Sequence, residues 1–421
     1  MNKKSSTKDL GLSSNERLSI INKSIFKPKK IPNLKPYGLK IYTFHAGFKK
    51  KFNDLLLVIF SEPVQSSVVY SKTTMPSAPI IWDKLYNKGT VKALIVNSGN
   101  ANAHTGKKGI NIINKYVNEL VKIANCKKSE ILVSSTGIIG EIFNPRLIID
   151  KFIKIKKTAS GSLLDAAKAI MTTDTYPKTS VKNVIINNKR FKIYGIAKGS
   201  GMIQPNMGTM LSYIFIETEL DKLLLNKLLK NNIQNTFNCI STDSDTSTSD
   251  TLALFSLKKT KINFKSKKNF NKLEKSLREV MKDLSLKVVK DGEGLSKLII
   301  VNVFNSKSKQ QARIIAFAVA NSPLVKTAIA GEDSNWGRII AAIGKSGEKI
   351  NQNKIKIFFG KNLVCNNGSI YEKINNNKLN KYMKNNIIEI KIQINNGNNE
   401  FIVYGNDLTH EYVRINAEYR S

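Results

Sequence analysis

The segment GSGMIQPNMGTML, residues 199–211, sets a glycine-rich loop directly before an apolar run. Gly199 and Gly201 open the loop, Pro205 lies within it, and the pair Gly208–Thr209 closes it. The run that follows, MLSYIFIET (210–218), is rich in Ile, Phe and Tyr and reads as a buried strand. Taken alone, Thr209 is an ordinary residue for the start of a strand. The segments around it decide whether it is more.

Working outward, strand-like and helix-like segments alternate. VKALIVNSGNAN reads as a buried strand running into a Gly/Asn loop, and INIINKYVNELVKIA has helical spacing. EILVSSTGIIG is again a strand and then a Gly-rich turn. NPRLIIDKFIKIKK and SLLDAAKAIM read as helices. KNVIINNKRFKIYGIA reads as a hairpin around Asn187–Asn188. Beyond Thr209, LDKLLLNKLLKNNIQNTF and FNKLEKSLREVMKDL are helical, as are ARIIAFAVANSPLV and NWGRIIAAIG. TLALFSL, KLIIVNVF, KIKIFFG, IIEIKIQI and EFIVYG are strands. The Asn/Lys-rich patches near 258–270 and 374–386 read as solvated loops. Consecutive hairpins argue against a purely parallel doubly wound sheet. The expected class is α/β: a layered sandwich of mixed sheets covered by helices.

The chain has 421 residues and is 41% hydrophobic, enough for a sizeable core. No apolar run reaches the roughly 18 residues of a membrane span. Cys126, Cys239 and Cys365 are too few and too scattered for a disulfide framework or metal-ligand spacing. With His45, His104 and His410 far apart, neither a zinc site nor a histidine-based triad is expected, and a reducing cytoplasm fits best. The first 36 residues are basic and lack the apolar core of a secretion signal, so they read as a flexible extension.

The formal charge is +37, which raises the alternative of a nucleic-acid partner. Only eight of the 68 basic residues are Arg, and the lysines are spread along the chain with abundant Asn and Ile. Sequence readers favour Arg forks and stacking aromatics. Compositional drift explains the charge better, and nucleic acid is not the expected partner.

Polar, Gly-rich segments recur at the strand ends: NSGNANAHTG (97–106), SSTGIIG (134–140), TTDTYPKT (172–179), AKGSGMIQPNMGT (197–209), STDSDTSTSD (241–250), KDGEGLSK (290–297) and AGEDSNWGR (330–338). None is a Walker loop or a dinucleotide fingerprint. Together and in this order, with NSPLVKTAIAGEDSNWGRI and the terminal DLTHEYVRINAEYRS, they resemble the ornithine acetyltransferase (glutamate N-acetyltransferase) family of arginine biosynthesis. The resemblance runs from about Gly38 to Ser421.

The resemblance implies a layout like that of N-terminal-nucleophile hydrolases and self-cleavage between Gly208 and Thr209. Relatives commonly carry Ala where this chain has Gly208. The products would be chains 1–208 and 209–421, with residues 37–208 forming the body of the first; the pieces would stay associated, as an α2β2 assembly. The chemistry explains the cut. A threonine hydroxyl needs a base, and a free α-amine on the same residue, titrating near ~8, supplies one. The family's oxyanion hole falls on Thr136 and Gly137; each preset donor there is worth roughly 3–4 kcal/mol. Substrate contacts fall on Thr172, Lys198, Thr209, Glu293, Asn416 and Ser421, with Thr173 as the alternative to Thr172. The implied substrates are N-acetylornithine and glutamate, without cofactor or metal; acetyl-CoA as a further donor is left open. Asp243, Asp245 and Asp250 could hold a cation by spacing, but turn and cap chemistry is the simpler reading. Trp336 reads as core, and His104 stands where many relatives have Cys. The rival functions are an autoprocessed aminopeptidase or amidase, whose acyl acceptor is water, and an enzyme that has kept its fold but lost activity.

Overall fold

The computed structural model describes residues 23–204 and 210–418. They form two compact units: one of residues 28–240 and 244–288, the other built on 289–418 with 23–27 and 241–243.

The first unit carries strands β1 (Leu39–Phe44) and β2 (Leu55–Tyr70), helix α1 (Ala78–Tyr86), β3 (Thr90–Asn100), α2 (Gly106–Ala124), β4 (Ile131–Ile138), α3 (Arg146–Phe152) and α4 (Leu163–Ala169). They are followed by β5 (Lys178–Ile186), β6 (Lys189–Lys198), β7 (Leu211–Ile216), α5 (Lys222–Ile233), β8 (Thr251–Ser256) and α6 (Lys267–Val289). The strands run in the order β4-β3-β2-β8-β7-β6-β5, with β1 on β2. Pairs β3/β4 and β7/β8 are parallel and the rest antiparallel.

Strand β2 is the hinge of this arrangement. Leu55–Phe60 pair with β1, Leu55–Ile59 and Val64–Gln65 with β3, and Ser66–Tyr70 with β8; the register with β3 shifts between Ile59 and Val64 around Pro63. Proline cannot donate to a ladder and is tolerated at such a break. The two halves of the sheet then share one core. Leu56, Val58, Phe60 and Leu94 come from one half and Tyr194, Tyr213, Phe215 and Phe255 from the other. Phe60 lies 5.1 Å from Phe255 and 6.3 Å from Phe215, ring centre to ring centre. Leu55, Leu57, Ala93 and Ile95, one residue out of phase, face outward onto α1 and α2 through Trp82, Ile113 and Tyr116. On the opposite outer face Gly195 of β6 receives α6 at Val280 and Leu284. Helix, sheet, sheet, helix is the expected layered sandwich. It also explains why β7 and β8 are buried at every position: both of their faces are covered.

The Asn187–Asn188 hairpin is as expected, a two-residue turn with φ of 49° and 60°. Of the basic extension, residues 1–22 lie outside the described residues; at its end, the Leu34 carbonyl accepts the Leu163 amide (2.8 Å) at the start of α4.

The second unit holds β9 (Leu298–Ser306), α7 (Lys309–Ala320), α8 (Pro323–Ala330), α9 (Trp336–Gly344), β10 (Lys356–Phe359), β11 (Asn362–Asn366), β12 (Ser369–Ile370), α10 (Asn376–Met383), β13 (Ile387–Gln393), β14 (Asn399–Asn406) and α11 (His410–Ala417). Its sheet runs β12-β11-β10-β13-β9-β14, with β9 and β13 parallel. Three sequence expectations need correction, and one is Trp336: read as core, it is only half-buried at the start of α9. ARIIAFAVANSPLV is two helices, not one: α7 ends at Ala320 with Asn321 as its C-cap, and Ser322 caps α8 ahead of Pro323. The 374–386 patch contains α10, capped by Asn375 and buried through Leu379 and Met383. Among the described residues no single helix is long and apolar enough to cross a membrane.

Candidate active site

The polar strand ends collect in the first unit where β3 and β4 leave the sheet. Gly99 sits beside Gly137 in a register that breaks at Asn100. Gly137 has φ +133°, and a Cβ there would meet the Gly99 carbonyl carbon at 2.2 Å. Only glycine allows that approach. Side chains lock the turn: Ser135 donates to Asn97 Oδ1 (2.6 Å), Asn97 Nδ2 to the Asn100 carbonyl (2.8 Å), and Ser98 to the Ala169 carbonyl (2.6 Å). Asp83, buried in α1, accepts the Val133 amide (3.0 Å), fixing β4 from behind.

Thr136, the residue before Gly137, is buried and accepts from Lys198 Nζ at 2.5 Å. Lys198 is the last residue of β6 and pairs with Leu211, the first of β7. The strand beginning two residues after Thr209 therefore starts opposite the lysine that reaches the Thr136 hydroxyl. Gly208 and Thr209 themselves lie outside the described residues, as does Ser421.

A carboxylate that the sequence did not single out organises this corner. Asp174 is buried and accepts from Lys178 Nζ (2.5 Å), the Gly199 amide (2.8 Å) and the Thr172 amide (2.9 Å). Burial pushes its carboxyl up, but the ammonium groups of Lys178 and Lys198 and the bonds from Gly199 and Lys178 outweigh that, leaving it below its ordinary range. Thr172 thus joins the group through its backbone. Lys49 donates to the Met171 carbonyl (3.1 Å), and burial lowers its ammonium.

The STDSDTSTSD stretch acts as a clasp. The Gln204 amide donates to the Asp245 carbonyl (2.9 Å), and Thr246 Oγ1 donates to the Gln204 carbonyl (3.1 Å), pinning the chain at Gln204. Asp250, just before β8, is buried with no hydrogen-bond partner for Oδ2 among the described residues. Burial raises its carboxyl well above the ordinary range, against the pull of Lys198 and bonds from Ser247. The Thr251 amide beside it donates to the Met210 carbonyl (3.0 Å).

In the second unit, Asn416 Nδ2 donates to Glu293 Oε2 at 2.8 Å. The loop and helix meet because Gly294 has φ +66° and a Cβ there would sit 2.4 Å from the Tyr412 amide. Thr409, which caps α11, donates to the Gly294 carbonyl (2.6 Å). Asp407 accepts the Ser296 and Lys297 amides (2.9 and 3.0 Å) and holds the rest of the loop. The expected residues thus fall into two described groups: Thr136, Gly137, Thr172 and Lys198 in the first unit, and Glu293 with Asn416 in the second.

A strand-end hydroxyl, a glycine turn and a cation beside the start of β7 suit the stabilisation of an oxyanion during acyl transfer. The model of the ArgJ family matches residues 40–421. The chain is similar to the arginine biosynthesis bifunctional protein ArgJ of Bartonella henselae, 40% identical over 93% of this chain and 97% of that one. Its counterpart in Bradyrhizobium diazoefficiens is 40% identical over 94% and 98%. A crystal structure of the protein of that name from Bacillus halodurans is 33% identical over 50% of this chain and 100% of its own, with a TM-score of 0.46.

Proposed function

This chain belongs to the ArgJ family, and on that premise we propose that it is a glutamate N-acetyltransferase of arginine biosynthesis, carrying acetyl on Thr209 after cutting itself between Gly208 and Thr209. The observation that carries the proposal is the convergence of the family's motif positions: Thr136 and Gly137 lie near the end of β4, and Lys198 bonds Thr136 while pairing with the residue that opens β7.

In self-cleavage, the Thr209 hydroxyl adds to the Gly208 carbonyl and the C–N bond breaks. The nitrogen becomes the α-amine, and water then hydrolyses the ester. In turnover, that amine takes the hydroxyl proton while Oγ1 adds to the acetyl carbonyl of N-acetylornithine. The tetrahedral oxyanion is held by the Thr136 hydroxyl and the Gly137 amide. The amide C–N bond breaks, the proton passes to the departing nitrogen, and ornithine leaves. The amine of glutamate next attacks the acetyl ester, forming N-acetylglutamate and returning the proton to Thr209. Glu293, ordered by Asn416, supplies a carboxylate for the ornithine ammonium; Thr172 and Ser421 complete the contacts to the substrates. Cys126, Cys239 and Cys365 are not joined in disulfides, which suits our reading of a cytoplasmic enzyme. Two copies of the cleaved pair form the α2β2 assembly.

Incubation with N-acetylornithine, with and without glutamate, tests the reaction. Ornithine release that depends on glutamate is expected. Release indifferent to glutamate means that water is the acceptor and the enzyme is an amidase. Replacing N-acetylornithine by acetyl-CoA asks whether a second donor is accepted.

A further inference from the structure

We propose that Lys198 acts on the reaction through the hydroxyl of Thr136, and that Asp174 is the positioning residue that keeps it there; both roles rest on the acetyl-transfer function proposed above. An ammonium has donors and no acceptor, so in the 2.5 Å contact Lys198 Nζ donates and Thr136 Oγ1 accepts. The single hydroxyl hydrogen of Thr136 is therefore turned away from Lys198, and no group among the described residues accepts it. A hydroxyl that already accepts from a cation is polarised into a better donor. An oxyanion hole requires that state: a donor whose orientation is set before charge develops. Without the lysine, the Thr136 hydroxyl would turn freely about its C–O bond, and its orientation would have to be fixed during the reaction.

The Lys198 stem is long and flexible, and a buried carboxylate anchors the backbone beside it. The Gly199 amide donates to Asp174 Oδ1 at 2.8 Å, and the same carboxylate is tied to Lys178 Nζ (2.5 Å) and the Thr172 amide (2.9 Å). The Lys178 and Asp174 side chains are fully buried, so the anchor is a fixed element and not a solvated pair. The Asp174 charge also offsets that of Lys198 beside it. Binding of a substrate carboxylate by Lys198 would act on substrate and transition state alike. Orienting Thr136 acts where the oxyanion forms.

The test is a double-mutant cycle in acetyl exchange between N-acetylornithine and glutamate, after wild-type exchange has been measured by itself. Thr136→Ala, Lys198→Met and Asp174→Asn, each alone, and Lys198→Met and Asp174→Asn each combined with Thr136→Ala, are compared in kcat and KM. The expected result is that Lys198→Met lowers kcat at least tenfold with KM little changed, and lowers it no further once Thr136 is alanine. Asp174→Asn should reproduce the kcat loss and likewise lose its effect in the Thr136→Ala background. Should Asp174→Asn fail to fold, the Lys198/Thr136 cycle still decides. A full Lys198→Met loss persisting without the Thr136 hydroxyl, or a loss confined to KM, overturns the proposal. A wild-type protein with no exchange overturns the function itself, and this role with it, before any variant is made.

Discussion

Gly99 and Gly137 meet backbone to backbone, so closely that a single carbon added to Gly137 would lie 2.2 Å from the Gly99 carbonyl carbon and 2.5 Å from the Asn100 nitrogen. Both atoms belong to main chain held in the sheet, and neither can swing aside as a side chain could. Gly137→Ala must therefore move β4 relative to β3, and at φ +133° it is strained as well. The expected cost is on the order of 2–3 kcal/mol of stability in urea titration, together with loss of acetyl exchange, since the moved turn carries the Thr136 hydroxyl. An alanine variant as stable and as active as the wild type would refute this geometry.

The sheet order bears on what the proposed cut at 208–209 would do to the molecule. Strands β7 and β8 follow Thr209 in sequence, yet they lie between β2 and β6, which precede it. Cutting at 208–209 gives two pieces whose strands are interleaved. Both strands are buried along their whole length. At roughly 2 kcal/mol for each large apolar side chain, extracting them costs as much as a domain's whole stability of about 5–15 kcal/mol. The pieces should co-elute in gel filtration under native conditions and separate only in denaturant. Free pieces in native buffer would contradict the interleaved order.

Lys326, on α8, is buried and donates to the Thr242 carbonyl and to Asn406 Oδ1 (3.4 Å). Burial lowers its ammonium to about 8, against the pull of Asp243 and Asp407. The ordinary value is 10.5, so folding disfavours the charged form. The penalty is complete below about 8 and vanishes above about 10.5, so this group makes stability rise with pH across that window. Between pH 7.5 and 9.5 the wild type should gain about 2 kcal/mol relative to Lys326→Met in chemical denaturation. Parallel pH profiles for the two proteins would show that Lys326 does not titrate abnormally.

Much of this arrangement was legible in the residues. The Asn187–Asn188 turn was readable because two consecutive Asn residues tolerate positive φ. The strand and loop of β4 were equally plain. Helix α10 was not, since its apolar face within NNKLNKYM amounts to little more than Leu379 and Met383. The break at Ser322 was hidden because apolar spacing continues on both sides of it. Among the candidate site residues, Thr136, Gly137 and Lys198 could be chosen by motif. The role of Asp174 could not, because its partner Gly199 is 25 residues away and meets it only once β5 and β6 pair.

The central claim is that breaking one peptide bond gives Thr209 the amine that activates it. The most direct measurement is a denaturing gel of the purified protein, with N-terminal sequencing of each band. The expected result is two pieces of similar length, one beginning Thr-Met-Leu-Ser, and a single uncut band in Thr209→Ala that no longer exchanges acetyl. A wild-type chain that remains one piece of 421 residues while transferring acetyl from N-acetylornithine to glutamate would contradict the account.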